Sequence, residues 1–112
     1  MIDNKILTYF KADDYFELWN NGKRVCFEKF THDDYIIVNV HYFAEREMFN
    51  VNIRKITNNV DGTRSLMYSD ESNFEINKTF ALKDIEKIEE YVGTISNMIM
   101  ELQKWSMEYN NA

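Results

Sequence analysis

Cysteine, histidine and aspartate gather near the middle of the chain, at Cys26, His32, Asp33, Asp34 and His41. These are the donor types of a zinc site, which takes four ligands when structural, and Cys with His is also the pairing of a nucleophile with its base. Cys26, His32 and His41 are spaced by six and nine residues, which matches no compact zinc knuckle. A nucleophile would also need a group to orient its base and an oxyanion site, and no motif supplies either. A second set, Asp13, Asp14, Asp33, Asp34, Glu45 and Glu47, has the carboxylates a magnesium-dependent nuclease would converge on two ions ~4 Å apart. All six fall at expected turns or strand ends, where acids commonly serve as solvated turn residues. The glycines at 22, 62 and 93 form no phosphate-cradling cluster, and H-E-x-x-H, G-x-S-x-G and paired-cysteine patterns are missing. The expectation is no catalytic residue, no metal ligand and no cofactor, with a small metal-dependent enzyme or nuclease using His41 and the clustered carboxylates as the rival reading.

Nucleic-acid binding has its own residues to weigh. Lys23, Arg24, Arg54, Lys55 and Arg64 could gather on one sheet edge, with Tyr35, Tyr42 and Phe43 to stack bases. Glu45, Glu47 and Asp61 interleave with them, and the formal net charge of -6 opposes a phosphate backbone. Direct nucleic-acid binding is not expected. The acids suggest the reverse: Asp70, Glu71, Glu75, Glu86, Glu90 and Glu101 form a candidate acidic surface that a basic groove of a nucleic-acid-binding protein would attract.

These side chains need elements to hold them. At 112 residues, 45% hydrophobic and 15% aromatic, the chain reads as one domain spanning 1–112. Residues 1–12 carry Ile2, Ile6, Leu7, Tyr9 and Phe10 at near-helical spacing, so a short helix and an edge segment are both open. Residues 14–80 read as five or six antiparallel strands in a meander. "YFELW" and "RVCFEKF" flank the hairpin signal "NNGK", with Phe16 and Leu18 expected to face Val25 and Phe27. In "YIIVNVHYF", Ile36, Val38, Val40 and Tyr42 share one face, and Ile37, Asn39, His41 and Phe43 share the other. "AERE" is a short connection, "MFNVNIRKI" places Phe49, Val51 and Ile53 inward, and Asp61-Gly62 makes a tight turn. "FEINKTF" alternates Phe74, Ile76 and Phe80.

Residues 82–109 change period. Ile85, Ile88, Val92, Ile95, Ile99 and Leu102 are spaced by three and four, widened by Tyr91, Met98, Trp105 and Tyr109, which predicts one long amphipathic helix. The expected fold class is α+β: an antiparallel meander packed against one long C-terminal helix, with or without a short N-terminal one. Gly93, Met100 and Met107, flanked by Ser96 and Gln103, fall on the helix side away from the main stripe. With the Trp105 end they form a candidate docking or homodimer surface.

The single Cys26 forms no intrachain disulfide, and no apolar run approaches the ~18 residues that would span a bilayer, so a cytoplasmic protein without membrane contact is expected. Abundant asparagine without proline points to an AT-rich bacterial or phage genome. The functional expectation is a non-enzymatic protein-binding domain of regulatory or inhibitory type. Its candidate partner interface is Ile37, Asn39, His41, Phe43, Gly93, Met100, Gln103, Trp105 and Met107. The alternative is an acidic inhibitor of a nucleic-acid-processing host defence complex, of anti-CRISPR or anti-restriction type, acting by partial nucleic-acid mimicry.

Overall fold

Alternation at every second residue builds the centre of the molecule. In this computed structural model β2 (Arg24–Thr31), β3 (Ile36–Phe43) and β4 (Met48–Lys55) pair antiparallel, with Cys26, His41 and Asn50 in one row. β1 (Phe16–Asn20) and β7 (Glu75–Ala81) flank them, giving a five-stranded sheet in the order β1-β2-β3-β4-β7. β5 (Thr57–Asn58) and β6 (Arg64–Ser65) form a separate two-stranded ribbon. The described residues are 1–33, 35–55, 57–58, 64–65 and 75–110, with the backbone alone at 57–58, 64–65 and 103–110. The expected Asp61-Gly62 turn and Phe74 lie outside them.

The parity of the central strands is as expected. Ile36, Val38, Val40, Tyr42, Phe49, Val51 and Ile53 are all buried on one face. The N-terminal segment resolves to a helix, α1 (Asn4–Ala12), which Asp3 caps by accepting from the Lys5 backbone N–H at 2.9 Å. Its buried residues Ile6 and Phe10, at i and i+4, lie in the same core as the sheet, and Ile2 just before the cap joins them there. Phe10 is 0% exposed and stacks on Phe27 with ring centroids 4.6 Å apart. α1 is therefore an inner element of the core, which the long helix shares rather than fills alone.

The first hairpin departs from expectation. Phe16 pairs with Glu28 and Trp19 with Cys26, with a register shift between Glu17 and Trp19, so Phe16 and Trp19 lie on the face away from the helices. The register shift turns Trp19 outward, and Tyr15 turns Phe16 outward: Tyr15, just before β1, is buried at 3% exposure, and successive residues of an extended chain point to opposite faces. Val25 and Phe27 remain in the core, opposite Asn20 and Glu17.

After a 3-10 turn at Leu82–Asp84, α2 (Lys87–Asn110) runs across the core face. Its fully packed residues are Ile88, Val92, Ser96 and Ile99, and Met100 also packs against the core. Met98 and Leu102, expected within the covering stripe, are instead 50% and 47% exposed. The buried row thus follows the i, i+4 ridge through Ser96, which is inclined to the helix axis, rather than the averaged three-four stripe. Ser96 is small enough to sit flush against the sheet, so Met100 turns inward and Leu102 outward. A helix of this length spans ~36 Å at 1.5 Å per residue, against ~27 Å for a strand of eight. No helix among the described residues is long and apolar enough to cross a membrane.

Candidate functional site

Helices cover one face of the sheet, and among the described residues no helix covers the other, open face. Its side chains come from alternate positions of every strand, and they divide into an aromatic corner and a polar field.

The corner belongs to β1 and β2. Phe16, Leu18, Trp19 and Phe30 are the exposed large apolar residues of the sheet, at 47%, 46%, 44% and 37%. Phe16 stacks on Phe30 with centroids 6.2 Å apart, and Trp19 lies 5.6 Å from the His41 ring. A clamp behind the sheet fixes this outward aim. Lys29 Nζ donates to the Asp13 carbonyl at 3.1 Å and pairs with Glu89 of α2 at 3.0 Å, lying 4.7 Å from the centroid of the Tyr15 ring. Burial, then the Glu89 carboxylate, raises the Asp13 pKa and pushes the Tyr15 hydroxyl far above its ordinary value. With Tyr15 held inside, Phe16 must point out.

The polar field is carpeted by amides. Asn39 donates to Glu28 at 2.9 Å and accepts from Arg54 at 2.8 Å. Asn52 donates to Glu75 at 2.6 Å and to Asn77 at 2.8 Å. Toward the other end Arg24 pairs with Glu45 at 3.2 Å and lies 5.0 Å from the centroid of the Phe43 ring. Leu18, Trp19, Cys26, His41, Asn50 and Asn77 are among the residues lining a shallow concavity of about 460 Å³. On the strands of this face Glu28, Glu75, Arg24 and Arg54 balance to zero, and Glu45 of the adjoining turn adds one negative charge, although the chain as a whole is at -6.

The Cys-His constellation comes apart, and one of its pairs survives. Cys26 and His41 are direct cross-strand partners, with Asn50 next in the row. Their ionisation is the reverse of a thiolate-imidazolium pair. Burial, aided by Glu28, pushes the Cys26 thiol up to about 11, and burial, then Arg24, lowers the His41 pKa from 6.5. His32 stands at the far end of β2, ~20 Å from Cys26 at 3.3 Å per residue. There its ring lies 3.0 Å from Thr31 Oγ1 and 2.7 Å from Asn97 Oδ1, which ties the β2–β3 turn to α2. Among the described residues no three His, Cys, Asp or Glu side chains form a group that could hold a metal ion.

The basic residues do not gather on one edge. Arg24 pairs with Phe43 and Arg54 with Ile37, at opposite ends of β3, and Tyr42 is buried at 4%. Of the expected partner interface, Asn39, His41 and Phe43 lie half-buried on the open face. Ile37 lies there too but is 1% exposed between its register partners Phe30 and Arg54, so it offers a partner nothing. Met100 packs into the core, contrary to the outward placement expected for it. Gly93 is half-buried, and a Cβ there would meet nothing within 4 Å, so no neighbour in the chain needs the glycine for close approach. The side chains of Gln103, Trp105 and Met107 lie outside the described residues, as do Asp70 and Glu71. Glu75 belongs to the open face, while Glu90 and Glu101 are exposed on α2 and Glu86 is exposed in the turn before it.

The residues that sequence reasoning missed are Phe16, Leu18, Trp19 and Phe30. The signal was present in "YFELW", where Tyr15 and Trp19 compete with Phe16 and Leu18 for one inner face, so some aromatic had to remain outside. The chain matches no protein-family model, no curated protein and no solved structure.

Proposed function

We propose that the protein is a non-enzymatic protein-binding domain, a small regulatory or inhibitory protein whose partner seats on the open face of the sheet. The observation that carries this reading is the aromatic corner: four large apolar side chains, each more than a third exposed, brought together by one hairpin. Scattered exposed apolar residues are ordinary, whereas a contiguous patch marks an interaction surface. Aromatic anchors ringed by hydrogen-bonding groups are also the usual energetic centre of an interface. The partner's chemistry follows from the charge of the face. The two arginines and two glutamates of its strands cancel, with Glu45 adding one negative charge at one end, and their network already satisfies Glu28, Asn39, Asn52 and Arg54 in part. A largely uncharged protein surface presenting an apolar anchor to Trp19 and Leu18, with amide or hydroxyl groups over Asn50 and Asn77, is complementary to it. A strongly basic or phosphate-rich surface is not.

The test is site-directed photocrosslinking in lysate of the native host, with a benzophenone amino acid at Leu18 and a control at Thr94 on the outer side of α2. The expected result is a discrete protein adduct from position 18 that is absent from position 94 and survives nuclease treatment. The purified partner should then lose about 30-fold or more in affinity for Trp19→Ala, the effect of removing a ~2 kcal/mol anchor. Equal adducts at both positions, or an adduct abolished by nuclease, would refute the assignment.

A second reading, an acidic inhibitor facing a basic groove, draws support from Glu90 and Glu101 of α2 and Glu86 just before it, all exposed. Lys83 and Lys87 interrupt that surface. It requires adducts from Thr94 rather than Leu18, and an affinity that falls steeply with added salt.

A further inference from the structure

On the helix side of the sheet Lys29 of β2 is half-buried in its clamp, whereas the two outermost strands hold a charge there that remains exposed. Each carries a charged side chain on the face where its neighbours are apolar. On β1, Glu17 pairs with Phe27, which is fully buried, so the Glu17 carboxylate is carried to the helix side of the sheet while remaining exposed. On β7, Lys78 pairs with the fully buried Val51 and stands between Ile76 and Phe80 on that same side. Its ammonium lies 5.1 Å from the Phe80 ring centroid and 5.0 Å from that of Tyr91.

An outermost strand presents unpaired backbone N–H and C=O groups and is a template for another strand. β1 adds to that hazard, since Phe16, Leu18 and Trp19 give it the aromatic and apolar composition that strand pairing favours. A strand added beside β1 would have to lay core-facing side chains against Glu17 and strip water from its carboxylate. Two copies joined antiparallel through β1 would also bring the two Glu17 carboxylates together near the symmetry axis. The register shift between Glu17 and Trp19 disturbs the same edge a second time, because a bulge breaks the regular spacing of outward hydrogen-bonding groups. On β7 the aromatic rings hold Lys78 over the inward face at the point where an added strand would pack.

We propose that Glu17 and Lys78 close the two edges of the sheet to strand addition by a second copy of this chain. The aromatic corner is thereby left to contacts made through the face of the sheet. The closure of the edges is independent of whether a partner is found on that face.

The experiment compares the wild type with Glu17→Val, Lys78→Val and the double variant, and with the charge-keeping Glu17→Asp and Lys78→Arg. Sedimentation velocity at tens of micromolar gives the association state, and amide exchange on β1 and β7 locates any new contact. The wild type and the charge-keeping variants should sediment as monomers. Each valine variant should self-associate about tenfold or more tightly, the effect of relieving one buried-charge conflict per copy. Outer-edge amides of the altered strand should gain protection from exchange. Should Lys78→Val lose its fold along with its ring contacts, Glu17→Val alone decides, since Glu17 is exposed. Valine variants as monomeric as the wild type, or a wild type already paired through β1 or β7, would overturn the proposal.

Discussion

Replacing Phe10 with alanine tests whether α1 belongs to the core or merely borders it. Phe10 is 0% exposed, stacks on Phe27 at 4.6 Å, meets Tyr15 edge-on at 5.3 Å and lies 5.7 Å from Phe49. It therefore joins α1 to β2, to β4 and to the residue that sets the parity of β1. Truncating a fully packed phenylalanine costs ~3–5 kcal/mol, comprising the lost transfer energy and the cavity left behind. A chain of 112 residues has about 6–17 kcal/mol of stability in total at ~0.05–0.15 kcal/mol per residue. Its unfolding entropy, at ~2.1 cal/mol/K per residue, is about 0.24 kcal/mol/K, so the melting temperature should fall by about 13–21 °C. Thermal melts followed by circular dichroism, with urea unfolding as a second measure, give both numbers. Thr8→Ala, an exposed change on the same helix, should stay within about 0.5 kcal/mol of wild type. A loss below about 1 kcal/mol for Phe10→Ala would refute the reasoning, because it would mean the first helix can leave without opening the core.

Two further outcomes follow from the same contacts. His41 should titrate below 6.5 by NMR, because burial and Arg24 both disfavour its charged form. The linkage has a definite sign. The unfolded chain takes up the proton first as pH falls, so the stability contribution is full above about 6.5 and declines between that value and the lower folded one. An upward shift, or stability unchanged through that window relative to His41→Gln, would show that the ring is not held among Trp19, Phe43 and Arg24. Gly93→Ala should stabilise the fold by up to about 1 kcal/mol, since a helix-interior glycine costs that much and the added Cβ meets open space. Destabilisation in urea would mean that something approaches this turn more closely than the structure shows.

The sheet was legible in the sequence because half-buried strands write their parity into alternate residues. Ile36, Val38, Val40 and Tyr42 against Asn39 and His41, or Phe49, Val51 and Ile53 against Asn50 and Asn52, leave one arrangement that buries the apolar set. The amphipathic C-terminal helix was equally plain from its three-four spacing. The candidate site was less so. Phe16 and Leu18 were assigned inward because apolar residues are inside on average, and nothing in "DYFELW" by itself says that Tyr15 takes the inner place. Met100 was assigned outward and Leu102 inward because a helical wheel averages over turns, whereas the sheet is met by an inclined row passing through Ser96.

Taken alone, the sequence determined the fold class, the order of the central strands and the long helix, the faces of β3 and β4, and the lack of any motif for metal or nucleophilic chemistry. These are local properties, set by period and residue type. Tertiary structure decided that Tyr15 was buried while Phe16, Leu18 and Trp19 of β1 stayed outside, which row of α2 was covered, and that Phe10 stands at the centre of the core. It also put Cys26 and His41 side by side while sending His32 to the other end of the strand, and it placed Glu17 and Lys78 on the inward face of the two outer strands. Those outcomes depend on strand partners and helix docking. Each inner position admits one side chain, and when a sequence offers two, only packing chooses between them.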